Sequence, residues 1–545
     1  MEKEDGQKFE RRKFLHYTAL GAVTVIAGTF ISGCNTGTAN STEQNTDAEN
    51  EKAVSGAFEP DLDFALAVVE KEIAIFSGSL TSMWVFESKL IKGDAASLTT
   101  IAGSYLGPTI HVSKGQKVRI RFINKLHEES IVHWHGLHVP EQFDGHPKDA
   151  VAPGETYIYE FQIMNNAGTY WYHPHPHKLA GNQVYNGLAG MFIVTDKAEQ
   201  ALNLPSGKYD FPIVIQDRTF DDDNQLVYLN SGHMKRSDGF LGDRIFINGT
   251  SSQTISAEQG AYRLRLLNGS NSRYYKLGWA DGTPLTVIGT DGSLLAKPRK
   301  VPYVIMSSGE RIDLWLDLSS HAIGTEMVLN SLSFNNGSDE VEGEGMMGGM
   351  GEGRRRGNQS EIPLGSEYLI VKIKINKRGG NNYKLPENLV YLKKLNVNNA
   401  LNADDPRSFR FAGSRMRWTI NGRTFKTLEV RDDETVKLNT TEVWELINGG
   451  GGHGMMGGNN VAHPIHIHQV QFNIIERNTD NMDAGLWENI KDGFVDEGWK
   501  DTLLLMPGMK IKVLMAYKNF KGLFLYHCHN LEHEDMGMMR NFEIT

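Results

Sequence analysis

The sequence predicts an all-β protein of three β-sandwich domains, and three observations lead to this prediction. Almost every apolar run alternates with polar residues at period two, and helical periodicity is scarce. The segment VSKGQKVRIRFIN at residues 112–124 recurs as AEQGAYRLRLLN at 257–268 and, more loosely, at 430–448. Three such units, each of roughly 130–170 residues, are of normal size for β-sandwiches.

In each repeat a second recurring segment follows the first, and its position aligns the repeats with one another. It begins with a turn, Pro-Gly-Glu at 153–155, Ser-Gly-Glu at 308–310 and Pro-Gly-Met at 507–509, before an alternating strand. The spacing from Gly154 to His173 equals that from Gly508 to His527, so GTYWYHPH superposes on GLFLYHCH, and Pro174 falls where Cys528 stands. The middle repeat has no histidine pair. With linkers rich in Gly, Pro, Asn and Lys, we expect domains at 61–197, 208–376 and 388–545.

Histidines occur at period two far more often than chance allows. The chain has 19 histidines in 545 residues, for which random placement would give roughly one His-x-His pair or none. Five pairs are present: His133/His135, His173/His175, His175/His177, His466/His468 and His527/His529. They lie in β-branched or aromatic runs bounded by Gly or Pro, which is typical of short strands. Imidazoles delivered by four strand ends could hold a cluster of copper ions.

The segment His527-Cys528-His529 predicts two centres on one strand. In an extended chain the first and third side chains share a face and the middle one points away. His527 and His529 are therefore expected at one metal centre and Cys528 at another. Cys528, His533 and Met538 supply three of the four ligands typical of a blue-copper electron-transfer site. A structural zinc site is the alternative, although Cys528 is the only cysteine in this half of the chain.

The motifs HWHG, HPH, HPIHIH and HCHNLEHEDMGM closely resemble the four copper-binding motifs of the multicopper oxidases, in particular bacterial laccases and cuprous oxidases. The resemblance covers about residues 62–545. It implies three cupredoxin-like Greek-key β-sandwiches and four copper ions. The ligands it implies are His463, Cys528, His533 and axial Met538 for type 1 copper, His133 and His466 for type 2, and His135, His173, His175, His468, His527 and His529 for the type 3 pair.

The resemblance also implies a reaction. Four one-electron oxidations at the type 1 site would supply electrons through Cys528 to His527 and His529, and O₂ would be reduced to two waters. Asp144 and Glu534 match the acidic proton-relay positions of the family. The alternative is that each carboxylate only hydrogen-bonds a ligand imidazole. A weak thioether ligand such as Met538 predicts a lower potential than a non-ligating Leu would give.

Two Gly/Met segments suggest a donor. The first, residues 345–351, contains Met346, Met347 and Met350, and the second, residues 449–458, contains His453, Met455 and Met456. The number of residues from Asn448 to His466 is twice that from Asn124 to His133. The second segment is therefore an insertion in the sequence just before His463. Thioether and imidazole suit Cu(I). The expected donors are Cu(I) or phenols, and the alternative is that these loops have no chemical role.

The N-terminus predicts export and anchoring. Residues 10–15, ERRKFL, resemble a twin-arginine signal, and the apolar stretch at 17–31 is too short to be a confident membrane span. Ile31-Ser32-Gly33-Cys34 resembles a lipoprotein cleavage box. We therefore expect a signal peptide at 1–33, a lipidated Cys34, a flexible tether at 34–60, and a periplasmic or extracytoplasmic, membrane-anchored enzyme. A plain signal peptide with an incidental cysteine is the alternative.

Composition restricts the partners. The formal net charge of −10 gives no reason to expect nucleic-acid binding. The resemblance implies O₂ and small one-electron donors as partners, and the N-terminal motif implies a membrane reached through the lipid anchor alone. One alternative is a copper-binding or resistance protein that sequesters metal without turnover, which missing ligands would indicate. Another is a two-domain copper nitrite reductase, which needs neither three repeats nor four paired histidine motifs.

Overall fold

The computed structural model describes residues 57–229, 239–336, 360, 362–414, 417–449 and 461–545. Strands in these ranges form six sheets, two each within residues 62–195, 210–377 and 407–544. The prediction of an all-β chain with three sandwiches is confirmed, whereas the domain boundaries stay predictions. The expected signal peptide, Cys34, Met346, Met347, Met350, His453, Met455 and Met456 lie outside the described residues.

The first sandwich pairs a four-stranded with a five-stranded sheet. The four-stranded sheet has the order β2 (Thr81–Lys92), β1 (Leu62–Ile73), β5 (Lys117–Asn124) and β7 (Thr156–Gln162). The five-stranded sheet has the order β3 (Leu98–Thr99), β4 (Thr109–Ser113), β9 (Gly190–Thr195), β8 (Gly168–Pro174) and β6 (Val132–His135). Helices α1 (Ala180–Tyr185) and α2 (Lys197–Gln200) flank β9 in sequence.

The second sandwich pairs a six-stranded with a five-stranded sheet. The six-stranded sheet has the order β11 (Arg244–Ile247), β10 (Asp210–Arg218), β13 (Ala261–Asn268), β18 (Arg311–Asp317), β15 (Leu285–Thr290) and β16 (Ser293–Val301). The five-stranded sheet has the order β12 (Thr254–Glu258), β20 (Tyr368–Lys377), β19 (Glu326–Ser331), β14 (Tyr275–Trp279) and β17 (Val304–Met306).

The third sandwich consists of two five-stranded sheets. One has the order β22 (Arg417–Ile420), β21 (Arg407–Ser414), β24 (Thr440–Asn448), β28 (Lys510–Tyr517) and β26 (Phe472–Asn478). The other has the order β23 (Thr435–Val436), β30 (Met539–Ile544), β29 (Gly522–Cys528), β25 (His463–Ile467) and β27 (Thr502–Leu505). Helix α3 (Ala484–Ile490) precedes β27, and α4 (Leu531–Asp535) follows β29.

The three sandwiches repeat one topology. Each first-named sheet contains one parallel pair, β1 with β5, β10 with β13 and β21 with β24. Each second-named sheet contains another, β4 with β9, β12 with β20 and β23 with β30. The strands β5, β13 and β24 carry the repeated sequence segment. The repeat seen in the sequence is therefore a repeat of the fold.

In each sandwich the repeated strand ends at an asparagine, and the side chain of this asparagine hydrogen-bonds the backbone of later residues. The side-chain amide of Asn124 donates to the carbonyls of Glu128 and Val151, both at 2.8 Å. Asn268 and Asn448 each bond two carbonyls in the same way. The turn glycine binds the same residue, since the amide of Gly154 donates to the carbonyl of Asn124 at 2.7 Å. The two repeated blocks are thus joined at one point in each sandwich.

Two segments expected to be irregular have more structure than predicted. The stretch between the first two predicted domains, residues 197–208, begins with helix α2, which Asp196 caps by accepting from the amide of Glu199. The end of the expected tether is bound to the first sandwich, because the carbonyl of Phe58 accepts from the guanidinium of Arg119 at 2.6 Å. Among the described residues, no helix combines the length and apolarity needed to span a membrane.

Candidate metal centre

Histidines of the first and third sandwiches meet in the interior. Strands β6 and β8 are antiparallel neighbours with His133 opposite His173, and β25 and β29 are neighbours with His466 opposite His527. The histidines of these strand ends are all buried and form interlocking groups: His133, His135, His173, His175, His466, His468, His527 and His529. A site made of these residues exists only where the two sandwiches join.

Two of the groups are triads that each take histidines from both sandwiches. The first triad is His135, His173 and His529, and the second is His175, His468 and His527. In the first, Nδ1 of His135 lies 3.4 Å from Nε2 of His173. In the second, Nε2 of His527 lies 3.1 Å from Nε2 of His468 and 3.4 Å from Nε2 of His175. His527 and His529, expected at one centre, therefore belong to adjacent but different triads.

A pair of histidines, His133 and His466, lies beside the two triads. The Nε2 atoms of His133 and His466 are 3.2 Å apart, and these two residues group with His135. The ring of His133 also stacks on that of His468, with centroids 3.7 Å apart. The predicted type 2 pair and the predicted type 3 residues are thus brought together in one cluster.

The hydrogen bonds at the outer edge of the cluster show what it can hold. The Nδ1 of His133 lies 2.6 Å from the carbonyl oxygen of Asp144, and that of His466 lies 2.8 Å from the carbonyl oxygen of Asp501. A neutral imidazole has a single N–H. If each ring donates that hydrogen outward, unprotonated Nε2 atoms face each other at 3.2 Å, and a cation between them removes the repulsion. The donor set therefore fits a metal.

Burial keeps these rings in the metal-binding form. Burial lowers the pKa of His173 to about 3 and that of His175 to about 4, and neighbouring histidines act in the same direction. Burial followed by the neighbouring histidines also lowers the pKa of His133, His466 and His468 well below the usual value. Neutral imidazole is a good ligand for copper and other transition metals.

A separate group lies on the other side of β29. The Sγ of Cys528 is 3.5 Å from Nδ1 of His463 and 3.7 Å from Nδ1 of His533, and all three residues are buried. Met538 is buried and tied to both sides of the group, because its amide donates to the carbonyl of His533 and its carbonyl accepts from the amide of Cys528. Burial raises the pKa of the Cys528 thiol, so a thiolate at this position requires a bound cation.

The aromatic ring of Trp418 covers this second group. It stacks on His533 with centroids 3.6 Å apart and planes 16° apart, and it meets His463 edge-on. Trp418 is only 2% exposed. Trp418 lies in β22 of the third sandwich. Nothing in the sequence distinguished it from other core aromatic residues.

The two predicted acidic residues contact histidines of the cluster. Oδ2 of Asp144 lies 2.8 Å from Nδ1 of His468, and Oε2 of Glu534 lies 3.0 Å from Nδ1 of His527. Burial raises the pKa of Asp144 well above its usual value. Burial alone would raise the pKa of Glu534 as well, but the imidazoles of His175 and His527 lower it to about 2. The effect of the neighbouring histidines on the pKa of Glu534 thus outweighs the effect of burial.

Four residues at the cluster were missed by sequence reasoning. Asp501 and Thr502 contact His135 and His466, Ser308 contacts His529, and Arg311 is paired with Asp501. A carboxylate directly before the apolar strand β27 was the available signal for Asp501. For Ser308 and Arg311 the signal was the repeated turn in a sandwich without histidine pairs.

Other histidines lie outside the metal-binding groups of the described residues. His138 contacts the carbonyl of Gln469 at 2.8 Å through Nδ1. His177, the last residue of the fifth period-two pair, lies beside the ring of Phe425. Both are neighbours of the cluster rather than members of it.

Comparison with known proteins agrees with this architecture. Two family models described as multicopper oxidase match residues 86–199 and 399–545. A multicopper oxidase of Staphylococcus haemolyticus is 32% identical over 81% of this chain and 83% of its own length. A bilirubin oxidase of Albifimbria verrucaria is 31% identical over 83% of this chain and 73% of its own length. The solved structure of the McoA multicopper oxidase from Aquifex aeolicus has 31% identity and a TM-score of 0.71, covering 90% of this chain and 97% of that one.

Cupredoxin-like sandwiches with a buried thiolate group and an interdomain histidine cluster define a copper-dependent oxidoreductase. The chain belongs to the multicopper oxidase family. It is an enzyme that uses copper as cofactor and oxygen as electron acceptor. Sequestration without turnover is not favoured, because every predicted histidine and cysteine ligand is present and grouped.

Proposed function

We propose that the chain holds four copper ions, one of type 1, one of type 2 and a type 3 pair. The ligands are His463, Cys528, His533 and Met538 for type 1, His133 and His466 for type 2, and the triads His135/His173/His529 and His175/His468/His527 for the type 3 pair. The observation that carries the proposal is the position of Cys528. Its sulfur faces one group, while the residues on either side of it in the chain belong to the two triads.

The proposed reaction couples four one-electron oxidations of a small donor to the reduction of O₂ to two waters, with uptake of four protons. Bound copper supplies the reversible one-electron chemistry. The protein's own residues keep the cluster buried and hold the ligand rings in place through hydrogen bonds to carbonyls and carboxylates. They must also deliver protons to the buried cluster.

Asp144 and Glu534 are the proposed proton carriers. Oδ1 of Asp144 has no hydrogen-bond partner among the described residues, while Oδ2 is held by His468. Asp144 therefore has one oxygen to position the ring and one to hold a proton. Oε1 of Glu534 lies 3.4 Å from Nε2 of His175, and Oε2 lies beside His527, so both oxygens face ligands of one triad. This placement favours transfer to the second triad.

Cu(I) or phenolic compounds are the proposed donors, and the insertion before His463 supports Cu(I). The side chain of Asn124 bonds a carbonyl 4 residues ahead, and that of Asn268 bonds one 5 residues ahead. The equivalent bond of Asn448 reaches Val461, 13 residues ahead. The insertion at 449–458 includes His453, Met455 and Met456 and ends five positions before His463. Soft ligands close in sequence to the proposed type 1 ligand His463 suit a soft Cu(I) donor.

Export through the twin-arginine route and anchoring through a lipidated Cys34 are proposed from the sequence motif alone. The motif places two arginines before a short apolar stretch at 17–31, and Cys34 follows three residues later. A folded chain exported in this way reaches an oxidising compartment. With Cys34 lipidated and Cys528 on copper, neither cysteine is available for a disulfide.

The test of the proposed function is steady-state oxygen uptake by copper-loaded protein with Cu(I) and, separately, with a phenol. We expect oxidation of four donor equivalents for each O₂ consumed, without release of hydrogen peroxide. Metal analysis of the same sample should give four coppers per chain. A protein that binds this copper but consumes no oxygen with either donor would contradict the proposal and favour sequestration.

A further inference from the structure

The middle sandwich has no histidine pair, yet one of its turns reaches the copper cluster. The hydroxyl of Ser308 lies 3.2 Å from Nδ1 of His529 and donates to the carbonyl of Ser270 at 2.5 Å. A side chain at Gly309, where φ is +86°, would come within 3.2 Å of the rings of His135 and His529. The turn is therefore packed against two ligands of the first triad, in the place that the repeated Pro-Gly turn occupies in the other sandwiches.

Arg311 follows this turn and connects all three sandwiches. Its Nε donates to the carbonyl of Thr169 in the first sandwich at 2.9 Å. Within its own sandwich it donates to the carbonyls of Gly309 and Asp291. It binds both carboxylate oxygens of Asp501 in the third sandwich, at 2.7 and 2.5 Å. Arg311 and Asp501 are fully buried, so this two-pronged ion pair is shielded from water.

Asp501 in turn fixes two ligand rings. Its Oδ1 lies 3.1 Å from Nε2 of His135, and its backbone carbonyl oxygen lies 2.8 Å from Nδ1 of His466. The hydroxyl of Thr502 is within 3.2 Å of the same two nitrogens. The opposite nitrogens of both rings face the cluster, since Nδ1 of His135 points to His173 and Nε2 of His466 points to His133. Asp501 thus determines which nitrogen of each ring is free for metal.

We propose that Arg311 is a positioning residue for copper at the His133/His466 pair and acts through Asp501. Without the guanidinium, the carboxylate of Asp501 would be an uncompensated buried charge, and it would turn, take up water or be protonated. Each of these changes would release His135 directly. It would also loosen His466 through Thr502, whose hydroxyl donates to Oδ1 of Asp501 and contacts Nδ1 of His466. Lysine keeps the charge but cannot reproduce the planar, two-pronged contact. The inference rests on the proposed function, because it uses the assignment of this pair to type 2 copper.

The matched pair of variants is Arg311→Lys and Arg273→Lys. Arg273 is also a fully buried arginine of the middle sandwich paired with an aspartate, Asp217, at 2.8 Å. Its hydrogen bonds among the described residues go to Asp217, Gly242 and Ser360, none of them a histidine. Asp501→Asn is the third variant, since it removes the charge and keeps the backbone carbonyl that binds His466.

The readouts are copper per chain after dialysis against a chelator, the type 2 signal in electron paramagnetic resonance, the blue absorption, and the Tm. We expect Arg311→Lys and Asp501→Asn to retain the copper at the His133/His466 pair, and the copper at His135, about 10- to 100-fold less tightly, while the blue absorption persists. Because both act through one contact, the double variant should lose no more than Asp501→Asn alone. Arg273→Lys should keep every copper.

Two results would overturn the inference. One is full retention of type 2 copper in Arg311→Lys, equal to that in Arg273→Lys. The other is loss of all coppers together with the blue absorption, in step with a lower Tm, in both Arg311→Lys and Asp501→Asn, because this is the signature of a purely structural ion pair. A wild-type protein without type 2 copper would instead refute the proposed assignment of the copper sites, independently of Arg311.

Discussion

The Nδ1 of His527 lies 3.2 Å from the carbonyl oxygen of Cys528. The two residues are therefore linked through the backbone and through a ring-to-carbonyl contact, although their side chains belong to different groups. The same nitrogen lies 3.0 Å from Oε2 of Glu534. One short segment thus brings Cys528, a histidine of the cluster and a carboxylate together. Substitutions of the cysteine and of the carboxylate are therefore expected to have different effects.

Glu534→Gln should slow oxygen reduction and leave the copper content and blue absorption unchanged. The amide keeps the size of the side chain but cannot carry the proton, and general acid–base groups contribute about 10²- to 10⁴-fold to rate. Steady-state oxygen uptake on copper-loaded variant and wild-type protein measures the effect.

Asp144→Asn separates proton transfer from positioning. If Asp144 carries protons, turnover falls while all coppers stay bound. Should the variant instead lose copper from the His175/His468/His527 triad, the carboxylate only positions His468. Near wild-type oxygen uptake in both variants would contradict the proposed relay.

Deletion of residues 449–458 should raise the apparent KM for Cu(I) and leave phenol oxidation unchanged or faster. The deletion restores a spacing before His463 like that of the first sandwich, and a change of loop length costs little in closure entropy. Loss of binding to one donor at unchanged turnover is the kinetic signature of removed substrate contacts. Oxygen uptake over a range of each donor concentration measures both constants.

Met455→Leu with Met456→Leu is the matched control for this deletion. It removes the thioethers and keeps the length and apolar character of the loop. An increase in KM for Cu(I) in both variants would identify the thioethers as the contacts. Equal loss of activity with both donors in the deletion variant would indicate a damaged type 1 site, and unchanged kinetics with both would assign the loop no role.

Much of the fold, and which histidines group together, could be predicted because the signals are local. The period-two histidines and the recurring segments can be read from spacing, and they predict the strands. The assignment of ligands came from the resemblance to the multicopper oxidases. The division of His527 and His529 between two triads could not be predicted, because the period-two spacing places them on one face and only their partners from other strands separate them.

The residues around the ligands were hidden for a related reason. Arg311 and Asp501 are 190 positions apart, and their pairing depends on how the middle and third sandwiches meet. Trp418 stacks on His533 across more than a hundred positions. Such residues are ordinary core or turn residues in the sequence, and only the assembled fold shows what they touch.

Cys34→Ser should move the protein from the membrane fraction to the soluble fraction without changing its copper sites. The thioether-linked lipid is the only proposed attachment, and the sandwiches hold the copper ligands independently of it. Fractionation of cells and the mass of the mature N-terminus measure the result. A wild-type protein that is already soluble and carries no lipid would contradict the anchor.

The most direct test of the account is Cys528→Ser, with Cys34→Ser as the control that changes the other cysteine. The intense blue absorption comes from charge transfer between a thiolate and copper, and the proposed electron path passes through this sulfur. We expect Cys528→Ser to lose the blue absorption and the oxidation of Cu(I) and phenols, while copper analysis still finds the coppers of the histidine cluster. A Cys528→Ser variant that stays blue, or consumes oxygen at near the wild-type rate with either donor, would contradict the account.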